Sequence, residues 1–220
     1  MTSNPPAGAP AVPHLPRLPQ PRSPADDAYG PWARWYEQTL GWAVADGAPP
    51  WLRTGLRFDV LEVPSAAGAA VLRRGVPTGP VAAAGGRMRL WVAAGSAEEL
   101  PGLLDWLQWG GIALELTALG AGGRLAAPPP PGGTGSGGTA GWLRPPVPGR
   151  EVEPTLPALA PFGRGTGAGR GSSPDLARLL DAVATECHRA RLLRTAAPPH
   201  AETTTCTNPY EYAACEYSAD

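Results

Sequence analysis

Apolar and polar positions alternate along the middle of the chain with two different periods. A period of two over residues 57–63 and 87–93 predicts strands, and an apolar spacing of three to four over 96–109 predicts a helix. The predicted elements in chain order are a strand over 57–63, a helix over 65–74, strands over 79–84 and 87–93, a helix over 96–109 and a strand over 112–118. This β-α-β-β-α-β order predicts an α+β fold of the split βαβ type, an antiparallel sheet with both helices on one face.

Local signals mark several of these boundaries. The Gly85-Gly86 pair between two strand-like runs predicts a tight hairpin turn. Ser65 is expected to cap the first helix of this core. Ser96 and Glu99 form the S-x-x-E pattern of a capping box at the start of the second.

Two further helices flank this core. The segment 29–42 places Trp32, Trp35, Tyr36 and Leu40 at helical spacing, and these aromatic side chains suit either core packing or a base-stacking platform. The segment 173–194 has Pro174 in its first turn and arginines near its end. Its apolar stripe comprises Leu176, Leu179, Leu180, Val183 and Cys187.

Gly and Pro number 29 each among the 220 residues, and they cluster outside the predicted elements. This clustering predicts a domain between disordered tails. The predicted organisation is a disordered Pro-rich tail over 1–28, an α+β domain over 29–146, a Gly/Pro-rich linker over 147–172, a C-terminal helix over 173–195 that packs on the domain, and a disordered tail over 196–220.

Composition narrows the possible functions. The net charge is -1, so the total charge gives no sign of nucleic-acid binding. All cationic side chains are arginines, which leaves no lysine for a P-loop, and no G-x-S-x-G occurs. The three cysteines form no zinc pattern and are expected to be free thiols in a reducing cytosol. No apolar run reaches ~20 residues, and proline interrupts the N-terminus, so we expect a cytoplasmic protein without a signal peptide or membrane contact.

Acidic side chains interrupt the predicted strands. In a split βαβ sheet the helix-free face is expected to be open, and Asp59 on the first strand and Glu115 on the fourth could meet there with Glu62 nearby. Arg87 and Arg89 on the central strand would come within reach. Such a set could bind a divalent metal and a nucleoside triphosphate. A period of two, however, places Asp59 and Glu62 on opposite faces unless a bulge intervenes.

Four stretches carry a resemblance to a known family. They are FDVLEVPSAAG, GGRMRLWV, LELTALGAGGRLAAPPP and GTAGWLRPP, in this order. They resemble four motifs of the prim-pol family. These are its D-x-D strand, its Gly-Gly-Arg-His strand, the stretch with its third acid and an Ala-Pro-Pro-Ser end, and its downstream loop with a tryptophan. Over about residues 30 to 195 the chain is similar to this N-terminal domain of bifunctional DNA primase/polymerases, which belongs to the archaeo-eukaryotic primase group, and in particular to short actinobacterial members. The resemblance implies an RRM-like core and a DNA-replication nucleotidyltransferase that uses Mg or Mn.

The chain departs from the family pattern at three positions. By this resemblance Asp59 takes the first acid position and Glu115 the third, whereas Leu61 replaces the second acid. Met88 replaces the histidine, and methionine cannot donate a hydrogen bond to phosphate. Pro130 stands in place of the serine. Two of the four expected catalytic groups are therefore absent, which favours a catalytically silent relative.

Three hypotheses for the function follow. The favoured one is a degenerate, non-catalytic protein that binds a nucleotide or single-stranded nucleic acid, or regulates another process. Trp91 shares a strand face with Arg87 and Arg89, which suits base stacking, although a lone strand tryptophan also suits a core. The alternative is an active metal-dependent nucleotidyltransferase acting through Asp59 and Glu115. The third is a protein-interaction adaptor that uses the Pro-rich tail and the C-terminal helix.

Overall fold

The computed structural model describes residues 24–132, 141–159 and 174–196, with side chains from residue 29 onward. Most of the two predicted disordered tails, the loop over 133–140 and part of the predicted linker lie outside the described residues. The prediction of disorder is wrong for residues 24–28 and for Ala196, which belong to helices. The elements in chain order are α1 (Pro24–Leu40), β1 (Val44–Ala45), β2 (Trp51–Arg53), β3 (Phe58–Pro64), α2 (Ser65–Arg73), β4 (Val81–Ala84), β5 (Arg87–Ala93), α3 (Ser96–Trp106), β6 (Thr117–Leu119), β7 (Arg124–Ala126), β8 (Gly141–Arg144), a 3-10 helix (Glu153–Thr155) and α4 (Leu176–Ala196). No helix in this part of the chain is long and apolar enough to span a bilayer.

The main sheet has five strands in the order β6-β3-β5-β4-β8, and every neighbouring pair is antiparallel. The predicted α+β class with an antiparallel sheet is confirmed. The hairpin between β4 and β5 turns at Gly85 and Gly86, whose φ angles are 55° and 74°. A two-residue type I′ turn requires positive φ at both positions, which glycine adopts at little cost.

One face of this sheet packs against α2, α3 and α4. Leu61, Met88 and Leu90 lie on this face and are nearly or fully buried. The predicted apolar stripe of α4 is confirmed, because all five of its members are buried. Each fully buried leucine of this kind contributes about 1.5–3 kcal/mol relative to exposure. The C-terminal helix is therefore an integral part of the core on this side.

The other face of the sheet is covered, so the expectation of an open face is wrong. Phe58, Val60 and Trp91 of this face form a second core with residues of α1, of the smaller sheet β1-β2-β7 and of the segment after β8. Trp42 stacks on Trp91 with ring centroids 6.3 Å apart, and Tyr36 stacks on Trp42 at 6.0 Å. Of the four predicted residues, Tyr36 and Leu40 lie in this core and Trp35 packs against it, as the packing interpretation expected, whereas Trp32 is not among its residues.

Three local expectations differ from the structure. The helix α2 follows Pro64, and Ser65 makes no capping hydrogen bond. The predicted capping box is also wrong. The N-cap residue of α3 is Gly95, with φ 89°, and Ser96 is already the first residue of the helix. The predicted strand over 112–118 is reduced to β6, because Glu115 has a φ of 53° and interrupts extended backbone.

The segment after β8 was expected to be a linker, yet its described part packs on the domain. Val152 and Leu156 flank the 3-10 helix and are 4% and 1% exposed. Both belong to the second core. Residues 147–159 are therefore a folded part of the domain. The helix α4 begins at Leu176, and Asp175 Oδ1 accepts a hydrogen bond from the Ala177 amide at 2.9 Å.

Candidate functional site

Asp59 lies on β3 and faces the helices, where its side chain is fully buried. Its Oδ2 accepts a hydrogen bond from the Ala97 amide at 2.9 Å, at the first turn of α3. Its Oδ1 has no hydrogen-bond partner within the described residues. Burial raises the pKa of Asp59, and the amide of Ala97 opposes this shift. A carboxylate at this place acts as a helix cap supplied from a distant strand.

Glu115 lies at the other end of the sheet. The pairing of β3 with β6 begins with Thr117 opposite Glu62, three residue positions from Asp59, and Glu115 precedes this paired segment. The Glu115 carbonyl accepts a hydrogen bond from Arg87, whose position on β5 is opposite Pro64, at the end of β3 away from Asp59. At ~3.4 Å per residue, the paired strands alone account for about 10 Å between Asp59 and the level of Thr117. Glu115 is about half exposed and its Oε1 pairs with Arg194 at 2.5 Å. The structure does not bring the two candidate acids together.

Glu62 and Arg89 face each other across β3 and β5. The Arg89 Nε donates to Glu62 Oε1 at 2.6 Å, and the two side chains are only 17% and 20% exposed. Arg89 also donates to the carbonyl of Ala126 on β7, at 3.2 Å. This pair therefore connects the two sheets. The expectation that Glu62 and Asp59 point to opposite faces is confirmed. Asp59 accepts from α3 on the helix side, whereas Glu62 pairs with Arg89, which also contacts the smaller sheet on the other side.

Arg87 and Trp91 also have structural partners. The Arg87 guanidinium donates to the backbone carbonyls of Glu62 and Glu115, each at 2.9 Å. It thereby connects β3 to the segment that precedes β6. Trp91 is fully buried in the second core, with its ring centroid 4.6 Å from that of Trp142. It cannot stack an incoming base, and its core interpretation is confirmed.

Two of the three positions at which the chain departs from the prim-pol pattern are apolar packing positions, and Pro130 is partly buried. Leu61 is fully buried and Met88 is 3% exposed, both in the core below the helices. Gly68 of α2 lies against Met88 so closely that a Cβ at Gly68 would come 2.4 Å from the Met88 sulfur. Within the described residues, no group of three or more His, Cys, Asp or Glu side chains is arranged to hold a metal ion.

A different cluster of charged residues is assembled on the helix side. A groove of about 680 Å³ lies between α2 and α4. We name it the arginine groove; its lining consists of Ala66, Ala70, Arg73, Arg74, Glu186, Arg189, Ala190, Leu193 and Arg194. The lining includes three alanines, which we call the floor, and four arginines, which we call the rim. With one carboxylate among these residues, the groove carries a formal charge of about +3 when all five groups are ionised.

Glu186 is the buried acid of this groove, with only 4% exposure. Its Oε1 accepts from Arg74 at 2.7 Å and from Arg189 at 3.2 Å, and both arginines remain more than half exposed. Arg73 makes no hydrogen bond or ion pair with any described residue. The carboxylate thus holds two guanidinium groups at the rim while they keep donors free for a ligand.

Helical periodicity could have identified the two stripes that line this groove, although not the groove itself. On α4 the groove residues are 186, 189, 190, 193 and 194, a single helical stripe, and on α2 they are 66, 70, 73 and 74. Which helix faces which cannot be known from these stripes, because Arg74 and Glu186 lie 112 positions apart in the chain.

Comparison with protein-family models, with curated proteins and with solved structures found no match.

Proposed function

We propose that this protein is a non-catalytic nucleotide-binding protein on an RRM-like, prim-pol-like scaffold, and that the arginine groove is its binding site. The observation that carries the proposal is the cluster of four arginines around an alanine floor. The sheet order β6-β3-β5-β4 supports the RRM-like assignment, because it is the strand order of a split βαβ unit.

The absence of catalysis is supported by the contacts of the candidate acids. A divalent ion needs carboxylate oxygens within about 2.0–2.6 Å of one point, and Thr117, where β6 begins two residues after Glu115, is already about 10 Å along the sheet from Asp59. Asp59 caps α3, and Glu115 pairs with Arg194. Magnesium or manganese, which the prim-pol resemblance implies, therefore has no shared carboxylate site between these two residues.

The chemistry of the arginine groove suits a nucleotide. Pockets for small molecules usually enclose about 300–1,000 Å³, a range that includes this groove. Guanidinium groups bind phosphate oxygens in a bidentate manner, and Arg73 and Arg189 supply such groups at the rim. The methyl groups of Ala66, Ala70 and Ala190 form an apolar surface against which a base or sugar can lie. We therefore assign the phosphates to the rim and the nucleoside to the floor.

The experiment is thermal unfolding of the full chain with dATP, once in EDTA and once with Mn²⁺. At a hundred times its dissociation constant, a ligand adds ~2.7 kcal/mol to the free energy of unfolding, which shifts Tm by several degrees. We expect the shift in EDTA as well, and we expect it to disappear in Arg73→Gln/Arg189→Gln. The matched control is Arg178→Gln, because Arg178 is exposed on the same helix outside the groove. A shift that requires Mn²⁺ and is lost in Asp59→Asn would support the nucleotidyltransferase alternative instead.

A protein-interaction adaptor is the second candidate function. The observation that favours it is the exposure of Leu192 and Leu193 near the end of α4, at 54% and 66%. Two exposed leucines beside an arginine rim suit an acidic, partly apolar protein segment. If no nucleotide shifts Tm, cross-linking of the full chain to partners through Leu192→Cys, with Arg178→Cys as the control position, distinguishes this candidate.

A further inference from the structure

The chain that follows α4 has a composition opposite to that of the arginine groove. Beyond Ala196 the sequence is APPHAETTTCTNPYEYAACEYSAD, which contains four acidic residues and no arginine or lysine. The acids are Glu202, Glu211, Glu216 and Asp220, and three tyrosines, Tyr210, Tyr212 and Tyr217, lie among them. We name residues 202–220 the acidic tail.

The acidic tail begins within reach of the groove. Leu193 and Arg194 line the groove and belong to the last turn of α4, which ends at Ala196. Glu202 lies six residues further and can be up to ~20 Å from this end, whereas Arg189 is only ~10 Å back along the helix axis. Pro198 and Pro199 disfavour continuation of the helix and favour a change of direction there.

We propose that the acidic tail binds in the arginine groove of the same chain and competes there with the nucleotide. The competition rests on the proposed function, whereas the docking of the tail does not. Carboxylates of the tail pair with the free donors of Arg73, Arg74 and Arg189. Tyrosine rings lie over the alanine floor and stack on guanidinium planes, as arginine favours.

Because the tail is covalently connected to α4, it occupies the groove more fully than the same peptide would if it were free in solution. A short flexible linker gives an effective concentration in the millimolar range, so weak exposed ion pairs are sufficient to occupy the groove. Apparent nucleotide affinity then falls by the fraction of chains whose groove is occupied. Rising salt weakens the tail contact, because its ion pairs are exposed.

The first test measures docking without any nucleotide. A spin label is attached at Cys215 in the full chain that carries Cys206→Ser. Cys187 remains unlabelled because it is buried and because burial raises the pKa of its thiol to about 11. We expect a motionally restricted label at low salt, a mobile label in Arg73→Gln/Arg189→Gln, and a restricted label in the control Arg178→Gln. A label that is mobile in every protein, or equally restricted in every protein, overturns the proposal.

The second test measures competition. The full chain with Glu202→Gln, Glu211→Gln, Glu216→Gln and Asp220→Asn should bind dATP at least about fivefold more tightly, since the carboxylates that pair with the groove arginines are neutralised. Saturating dATP should also release the label in the wild type. Equal dATP affinity together with a mobile label would overturn the tail contact and leave the nucleotide site intact. A label released by the groove substitutions, in a protein that binds no dATP, would support the tail contact and contradict the proposed function.

Discussion

Asp59→Asn tests whether Asp59 is a carboxyl group buried without a bound cation. The asparagine keeps the shape and the oxygen that accepts from the Ala97 amide, but it removes the charge and the titration. In the folded protein the carboxylate is fully buried, and only one of its oxygens has a hydrogen-bond partner within the described residues. Burial therefore raises the pKa of Asp59 above the ordinary value of 3.8.

The sign of the pH dependence follows from this direction. A raised pKa means that the folded state binds the proton more tightly than the unfolded state does, so protonation stabilises the wild type. The wild type should gain free energy of unfolding relative to Asp59→Asn as pH falls from the folded-state pKa toward 3.8. The total gain is about 1.4 kcal/mol for each pH unit between the two pKa values.

The assay is urea unfolding of both proteins at several pH values from 7 to 4, with the difference in free energy taken at each pH. Because the two chains share every other titrating group, their difference isolates Asp59. A wild type that loses stability relative to Asp59→Asn on acidification would refute the reasoning. Such a result would mean that the anion is favoured in the folded state, as it would be beside a bound cation.

Three further predictions concern packing and backbone. Arg89→Met and Glu62→Gln should each destabilise the fold by about 1 kcal/mol, and a double-mutant cycle in urea should give a coupling energy above about 0.5 kcal/mol; strict additivity would count against their pairing. Trp91→Ala should cost about 3–5 kcal/mol, and a calorimetric loss below ~1 kcal/mol would contradict its place in the second core. Gly86→Ala should lower the free energy of unfolding by about 1 kcal/mol, because φ at Gly86 is 74°. Gly102→Ala, in open space within α3, should raise it by about 0.5–1 kcal/mol. Equal effects of the two substitutions would argue against the turn geometry.

Elements defined by local patterns could be predicted from the sequence. The strand Arg87–Ala93 has the predicted bounds, because alternation and the Gly85-Gly86 turn are both local signals. The stripe of α4 was also evident from spacing alone. Local rules failed at the start of α3, because the cap comes from Asp59, 38 positions earlier in the chain.

The second core and the arginine groove could not be predicted, because both depend on contacts between distant segments. Tyr36 of α1 and Trp42 just after it lie far in the chain from Trp91 of β5, and such distant segments together cover the sheet face that was expected to be open. The acids Asp59 and Glu115 were expected to meet because the sequence predicts that their strands are neighbours. It does not predict which residues of the two strands lie opposite each other. A register that places Thr117 opposite Glu62 separates them.

The central claim is that a nucleotide binds between α2 and α4 without a metal. Calorimetric titration of dATP into the full chain in EDTA tests it most directly, with Arg73→Gln/Arg189→Gln and the control Arg178→Gln titrated alongside. We predict binding to the wild type and the control, and at least a tenfold weaker affinity in the groove variant, since charge-assisted hydrogen bonds to phosphate contribute about 1.5–3 kcal/mol each. Equal binding to all three proteins, or no binding to any of them, would contradict the claim.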